Sequence, residues 1–169
     1  MDLSLDIAAP WPPATDWAAL ADRCAKATAQ VAPELANPRI SADLLLTDDA
    51  EVRALNHQWR GKDQPTNVLS FPMLERADLL ALGRAGEETA PPELLGDIAL
   101  ALETCMREAA DKSISLEHHA AHLIVHGLLH LAGYDHETSS EAARAMETLE
   151  INALAQMGIA DPYGDHHET

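Results

Sequence analysis

The feature that most constrains this chain is a regular spacing of histidines in its C-terminal third. Four of its nine histidines stand four residues apart, at His118, His122, His126 and His130. An α-helix has about 3.6 residues per turn, so this spacing predicts a helix over 116–132 with the four imidazoles on one stripe. At about 1.5 Å of rise per residue, His122 and His130 are roughly 12 Å apart along the axis. Only neighbouring histidines on the stripe can therefore share a metal ion.

A third metal ligand is available just beyond this helix. Gly133, three residues after His130, can end the helix in the left-handed conformation, so that His136 points back at the pair. From His126 to His136 the spacing is HxxxHxxGxxH, that of the metzincin zinc site, in which three histidines leave one coordination position for water. The sequence therefore predicts that His126, His130 and His136 hold one Zn²⁺ ion.

An open site of three neutral nitrogen ligands indicates catalysis. Structural zinc sites are usually closed by four protein ligands, whereas an open position lets zinc lower the pKa of a bound water to about 7. The alternative is a histidine-rich amphipathic helix with partly exposed imidazoles. For His118, His119 and His122 we expect surface or supporting roles rather than ligation, with His122 the best candidate to support His126.

The residue after the first histidine bears on the reaction. Metzincin peptidases have a glutamate there as general base, but this chain has Gly127, which argues against peptide hydrolysis by that route. Phosphodiester hydrolysis fits better, because a metal and a guanidinium can stabilise the negative charge of its transition state. Arg60, at the junction of a predicted helix and a polar loop, is the candidate guanidinium. Its alternative role is a surface arginine paired with Asp63 or Glu51.

The remaining hydrophobic pattern predicts an α+β fold. The chain has 169 residues, which is one domain's worth, and its C-terminal half is mainly helical. We predict a small mixed four-stranded sheet with about five helices, a single catalytic domain over 1–157 and a polar tail over 158–169. The stretch 73–93, with its glycines, prolines and acids, is expected to be a solvated excursion with one helical turn. The predicted strands are 3–7, 40–47, 68–71 and 94–102.

Charge and composition limit the partners and the compartment. The net charge of −17 has the wrong sign for general nucleic-acid binding, so a role on RNA needs a local basic feature, a metal ion or a partner. Cys24 and Cys105 are far apart in sequence and are expected to be buried thiols in a reducing compartment. The chain has no long apolar run and no basic leader, so we expect a cytoplasmic protein without membrane contact.

Three blocks of this sequence carry a family resemblance. They cover 55–72, with the run Asn-His-Gln-Trp-Arg-Gly-Lys-Asp-Gln-Pro-Thr-Asn, then 95–98, Leu-Gly-Asp-Ile, and 122–136 with the histidine motif. In this order they resemble the YbeY family of bacterial rRNA maturation endoribonucleases. The similarity extends over roughly 40–155.

The resemblance implies a metal-dependent, single-strand-specific endoribonuclease. Such an enzyme would act in maturation of the 3′ end of small-subunit ribosomal RNA and in ribosome quality control. Its partners would be single-stranded RNA, ribosomal particles and proteins on the ribosome, with no role on DNA. His126, His130 and His136 match the family's zinc ligands, Arg60 matches its functionally important arginine, and the family fold is similar to the metzincin core.

Two other functions and several residue roles stay open at this point. The alternatives are a zinc-containing ribosome-associated binding module and, disfavoured by Gly127, a metallopeptidase. Asp97 is either a base or orienting group, or a turn device at a strand edge. Ser70 and Phe71 are expected on a strand beside the site, where single-stranded substrate can run. Whether water or the ribose 2′-hydroxyl attacks is not decided by the sequence.

Overall fold

Four strands form one mixed sheet in the order β1-β2-β4-β3. The computed structural model describes residues 1–64, 66–82 and 91–164. Strands β1, β2 and β4 are parallel, and β3 is antiparallel to β4 at one edge. The predicted α+β class with a small mixed four-stranded sheet is therefore confirmed. The elements are β1 (Asp2–Ile7), α1 (Trp17–Val31), β2 (Ile40–Thr47), α2 (Asp49–Arg60), β3 (Val68–Pro72), α3 (Arg76–Ala81), β4 (Glu93–Ala101), α4 (Leu102–Asp111), α5 (Leu116–Leu131) and α6 (Ser140–Gln156).

The alternation of side chains along the strands gives the sheet two different faces. One face, with Leu44 and Ile98, packs into the main core formed with α1, α5 and α6. The other face, with Leu69 and Ala99, packs against Val52 of α2 in a smaller cluster. Among the described helices none has the length and apolar composition needed to cross a membrane.

Helix α5 lies at the centre of the molecule and spans nearly the predicted range. It contacts α1, α4 and α6 as well as strands β3 and β4. The Ser115 side chain caps its first turn by accepting a hydrogen bond from the His118 N–H at 3.0 Å. Gly127 brings the helix close to the sheet, because a Cβ at this position would lie 3.0 Å from Cδ1 of Ile98. The histidine-bearing end of α5 is thus held against β4 and β3.

The stretch 73–93, which is expected to be solvated, contains a helix in the structure. The described residues contain six α-helices, and the one beyond the predicted set is α3, whose Leu79 is buried in the main core. The buried Leu79 side chain anchors this short helix on the core. The part of the expected excursion over 83–90 lies outside the described residues. The boundary at residue 157 stays a prediction, and beyond it Ile159 packs against the core.

Candidate metal centre

The three histidines of the motif meet at the C-terminal end of α5. Gly133 adopts the left-handed conformation at φ +99°, as its position predicted, and its N–H donates to the His130 carbonyl at 2.9 Å. The turn that follows brings His136 back to the helix. The candidate ligand atoms of His126, His130 and His136 all lie within 4.8 Å of one another, and Nε2 of His130 is 3.1 Å from Nδ1 of His136.

This geometry fits a metal ion. Tetrahedral zinc with bonds of about 2.0–2.1 Å places two ligand nitrogens about 3.3 Å apart, close to the separation of the His130 and His136 nitrogens. Burial, together with the neighbouring His126 and His136, lowers the pKa of His130 to about 4. A neutral imidazole is the form that binds a metal. The side chain of His136 is 43% exposed, so the cluster is open to solvent on that side.

A buried carboxylate on α6 orients the first of these histidines. The Glu150 side chain is fully buried, and its Oε1 lies in hydrogen-bond contact with Nδ1 of His126. Because a carboxylate only accepts, Nδ1 of His126 carries the proton and Nε2 is free to face a metal. Burial alone would raise the pKa of Glu150, but hydrogen bonds from His122 and His126 lower it to about 2.

Two further side chains complete the hydrogen bonds of Glu150. Nε2 of His122 lies 3.3 Å from Oε2, and the Tyr163 hydroxyl donates to the same oxygen. His122 therefore sits where a supporting role for His126 was expected. Sequence reasoning missed Glu150 and Tyr163. Glu150 left one signal: it occupies the apolar stripe of α6, four residues after Met146 and four before Leu154, both of which are buried.

Arg60, the last residue of α2, contacts the edge strand β3 rather than the three histidines. Its Nη2 donates to the Ser70 carbonyl at 3.2 Å, and its guanidinium carbon is 6.0 Å from the Phe71 ring centre. Strand β3, which carries both contacts, packs directly against α5. In the described segments no hydrogen bond joins Arg60 to the three imidazoles.

The two acidic residues that could pair with Arg60 at the surface, Asp63 and Glu51, bond to other residues. Asp63 accepts from Arg53 at 2.8 Å, and Glu51 accepts from Thr47 at 2.6 Å. Within the part of the chain that is described, Arg60 forms no ion pair. Most of its donors are thus available to an external anion.

The other residues singled out in the sequence lie outside the cluster. Asp97 is on the α2 face of the sheet, opposite α5, where it lines a cavity of about 550 Å³ and where burial and Asp43 raise its pKa. Phe71 pairs with Asp97 and Ser70 with Ile98, so these neighbours on β3 face opposite sides of the sheet. The structure does not bring Asp97 to the histidines.

The remaining histidines of α5 divide between the surface and the core. His118 is exposed, whereas His119 is buried and lies 2.8 Å from Oε1 of Glu108. Cys24 and Cys105 are free and buried, as expected. The tail pair His166 and His167 falls outside the described residues.

Fold and site together define an α+β protein whose central helix and following turn carry a three-histidine cluster able to hold one metal ion. The family model described as Endoribonuclease YbeY matches residues 13–158. The chain therefore belongs to the YbeY endoribonuclease family.

Individual relatives support this assignment. The chain is 59% identical over 155 residues to the endoribonuclease YbeY of Erythrobacter litoralis, with 92% of this chain and 93% of the relative covered. It is 56% identical over 161 residues to that of Novosphingobium aromaticivorans, with 95% of each covered. The solution structure of TM1509 from Thermotoga maritima is similar in fold, with a TM-score of 0.57, 22% identity, and 92% and 91% of the two chains covered.

Proposed function

We propose that this protein is a zinc-dependent endoribonuclease that hydrolyses phosphodiester bonds in single-stranded RNA. Membership of the YbeY family supports the endoribonuclease activity. The observation that carries the metal dependence is the convergence of the nitrogens of His126, His130 and His136 within 4.8 Å, with one side open to solvent. Three neutral nitrogen ligands and an open position are typical of a catalytic zinc site.

Each residue of the site has a distinct task in this proposal. A zinc ion held by His126, His130 and His136 would supply positive charge and act as a Lewis acid toward the phosphate. Glu150 keeps the proton of His126 on Nδ1 and so directs Nε2 toward the ion. Arg60 binds and orients the scissile phosphate with the donors that its bond to Ser70 leaves unused.

We further propose that the substrate is ribosomal RNA. Maturation of the 3′ end of the small-subunit RNA and ribosome quality control are the processes that the family resemblance implies. A net charge of −17 opposes tight binding to free RNA, so positive charge must come from the metal, from Arg60 or from proteins on ribosomal particles. The cytoplasm, where ribosomes are assembled, is the corresponding location, and DNA is not expected as a substrate.

The packing of Gly127 disfavours the peptidase alternative. A Cβ at this position would lie 3.0 to 3.2 Å from three carbons of Ile98, so the glutamate of a metzincin peptidase would require the Ile98 side chain to shift. The binding-module alternative predicts a metal site closed by four protein ligands. Among the described residues the candidate group contains only three.

The test is cleavage of a labelled single-stranded RNA and of the same sequence in a duplex. We expect cleavage of the single strand only, loss of cleavage with a chelator, and its return when Zn²⁺ is added back. A His130→Ala preparation, purified in parallel, controls for contaminating nucleases. Equal cleavage by wild type and His130→Ala, or cleavage that persists with chelator, would contradict the proposal.

A further inference from the structure

Three side chains from distant parts of the chain meet beside the turn that follows α5. They are Glu34, in the short 3-10 helix Pro33–Ala36, Arg76, in the first turn of α3, and Tyr134. Nη1 of Arg76 donates to Oε2 of Glu34 at 3.0 Å, and the Tyr134 hydroxyl donates to the same oxygen at 2.7 Å. The guanidinium carbon lies 4.6 Å from the centre of the Tyr134 ring. We call these three residues the clasp.

Arg76 contacts each residue of the turn between the helix end and Tyr134. Its Nη1 also donates to the Ala132 carbonyl at 2.7 Å, one of the carbonyls that the end of α5 leaves without a helical partner. A Cβ on Gly133 would lie 2.7 Å from Cβ of Arg76, so the arginine fills the space above the glycine. Together with the stacked Tyr134 ring, these contacts hold residues 132–134 from one side.

The clasp is partly shielded from water, which strengthens its hydrogen bonds. The Glu34 side chain is 11% exposed and that of Arg76 is 38% exposed. Burial alone would raise the pKa of Glu34, but the hydrogen bonds from Tyr134 and Arg76 lower it. The carboxylate is therefore charged and accepts from both donors at neutral pH.

We infer that Arg76 is a positioning residue for the metal centre, because it holds the turn that delivers His136 in its metal-binding conformation. The inference rests on the proposed metal role of His136. His136 is exposed and lies two residues beyond Tyr134, while His126 and His130 are fixed by the helix. Without the clasp, metal binding must itself order the turn, and the conformational entropy lost in doing so weakens the affinity for the metal.

The experiment measures binding of Co²⁺, whose visible absorption reports the number and geometry of its ligands. Metal-free wild type, Arg76→Met and Arg76→Lys are titrated with Co²⁺, and circular dichroism checks that each is folded. Arg53→Met is the matched control, since it removes an arginine–carboxylate contact of 2.8 Å on the surface, with Asp63. We expect Arg76→Met to weaken Co²⁺ binding by about tenfold or more and to change the spectrum.

Three further variants separate a positioning role of Arg76 from a general effect on the stability of the fold. Arg76→Lys keeps the charge but has no planar group to lie against the Tyr134 ring, so we expect an intermediate affinity. Arg53→Met should stay within about twofold of wild type. If Arg76→Met fails to fold, Tyr134→Phe takes its place, because it removes only the hydroxyl that binds Glu34, and it should also weaken Co²⁺ binding.

Two results overturn the inference, and they are distinguishable. Wild-type affinity and spectrum in a folded Arg76→Met, or in Tyr134→Phe where it is the variant used, would remove the role of the clasp and leave the metal centre intact. Failure of wild type to bind one Co²⁺ would overturn the proposed metal role of His136 and the clasp with it.

Discussion

Glu150 connects the candidate metal centre to parts of the chain that are remote in sequence. It stands 24 residues after His126 and accepts from His122, His126 and Tyr163 in the core. A charge in that position is tolerated because three donors surround it. The orientation of the His126 imidazole thus depends on α6 and on the segment after it.

We predict that Glu150→Gln weakens metal binding. The amide carries no charge and presents an NH₂ group to donors, so it cannot accept all three hydrogen bonds, and the preferred proton position on His126 is lost. Loss of such a partner typically costs about 10–100-fold in metal affinity. Competition with a chelator of known affinity measures the change. Glu141→Gln, an exposed change on the same helix, is the control, and equal affinities of the two variants would contradict the role of Glu150.

At the scale of elements, α5 was the most predictable part of the structure. The spacing of its histidines, the Gly133 turn and the return of His136 involve residues that are close together in sequence. Such local features can be predicted from residue periodicity and from the conformations that glycine adopts. Helix α5 spans Leu116–Leu131, close to the predicted 116–132.

Long-range contacts are what the sequence did not reveal. Arg60 bonds to the Ser70 carbonyl on β3, the antiparallel strand at the sheet edge, and the pattern of a strand does not indicate which strand it pairs with. Tyr163 lies in what was predicted as a polar tail, and nothing in its local pattern indicates that it reaches Glu150. The sequence pattern does not reveal the clasp either, because Glu34 and Arg76 are 42 residues apart.

The contact between α4 and α5 makes stability depend on pH. His119 is buried, and burial lowers its pKa below the usual value of about 6.5 despite its hydrogen bond to Glu108. The positive charges of Lys112, the residue after α4, and of His122 on α5 also lower the pKa of His119. At this position the unfolded chain therefore binds more protons than the folded one below about pH 6.5, so the contribution of His119 to stability falls as the pH is lowered.

We predict that His119→Gln reduces this pH dependence. Glutamine can still donate to Glu108 but does not titrate, so the contribution of this group to acid destabilisation disappears. Melting temperatures at pH 7.5, 6.5 and 5.5 measure the slope, with His118→Gln, at an exposed position, as the control. A slope equal to that of wild type would show that His119 does not contribute.

At the scale of the whole molecule, the net charge of −17 opposes binding to RNA, which is also negatively charged. Phosphate contacts normally dominate affinity and depend on counterion release. Arg60 offers one such contact on an otherwise acidic protein. Under the proposed function, we therefore expect RNA recognition to depend mainly on the candidate metal site and on positive charge supplied by a partner.

We predict weak, salt-sensitive binding to free single-stranded RNA and tighter binding to small ribosomal subunits. Fluorescence anisotropy with labelled protein, at physiological salt and at twice that concentration, compares the two. Affinities that are equal for free RNA and for subunits at physiological salt would show that no partner supplies the missing positive charge.

The most direct measurement is cleavage of labelled single-stranded RNA by wild type and Arg60→Ala, with the metal content of both preparations determined. Arg60 makes no ion pair in the described structure and does not touch the three histidines through a hydrogen bond, so its removal should leave metal content unchanged. We expect cleavage to fall by about 10²-fold or more, the usual cost of losing one charged stabilising group in a transition state. Equal cleavage by two equally metal-loaded preparations would contradict the joint action of Arg60 and the histidine site on the scissile phosphate.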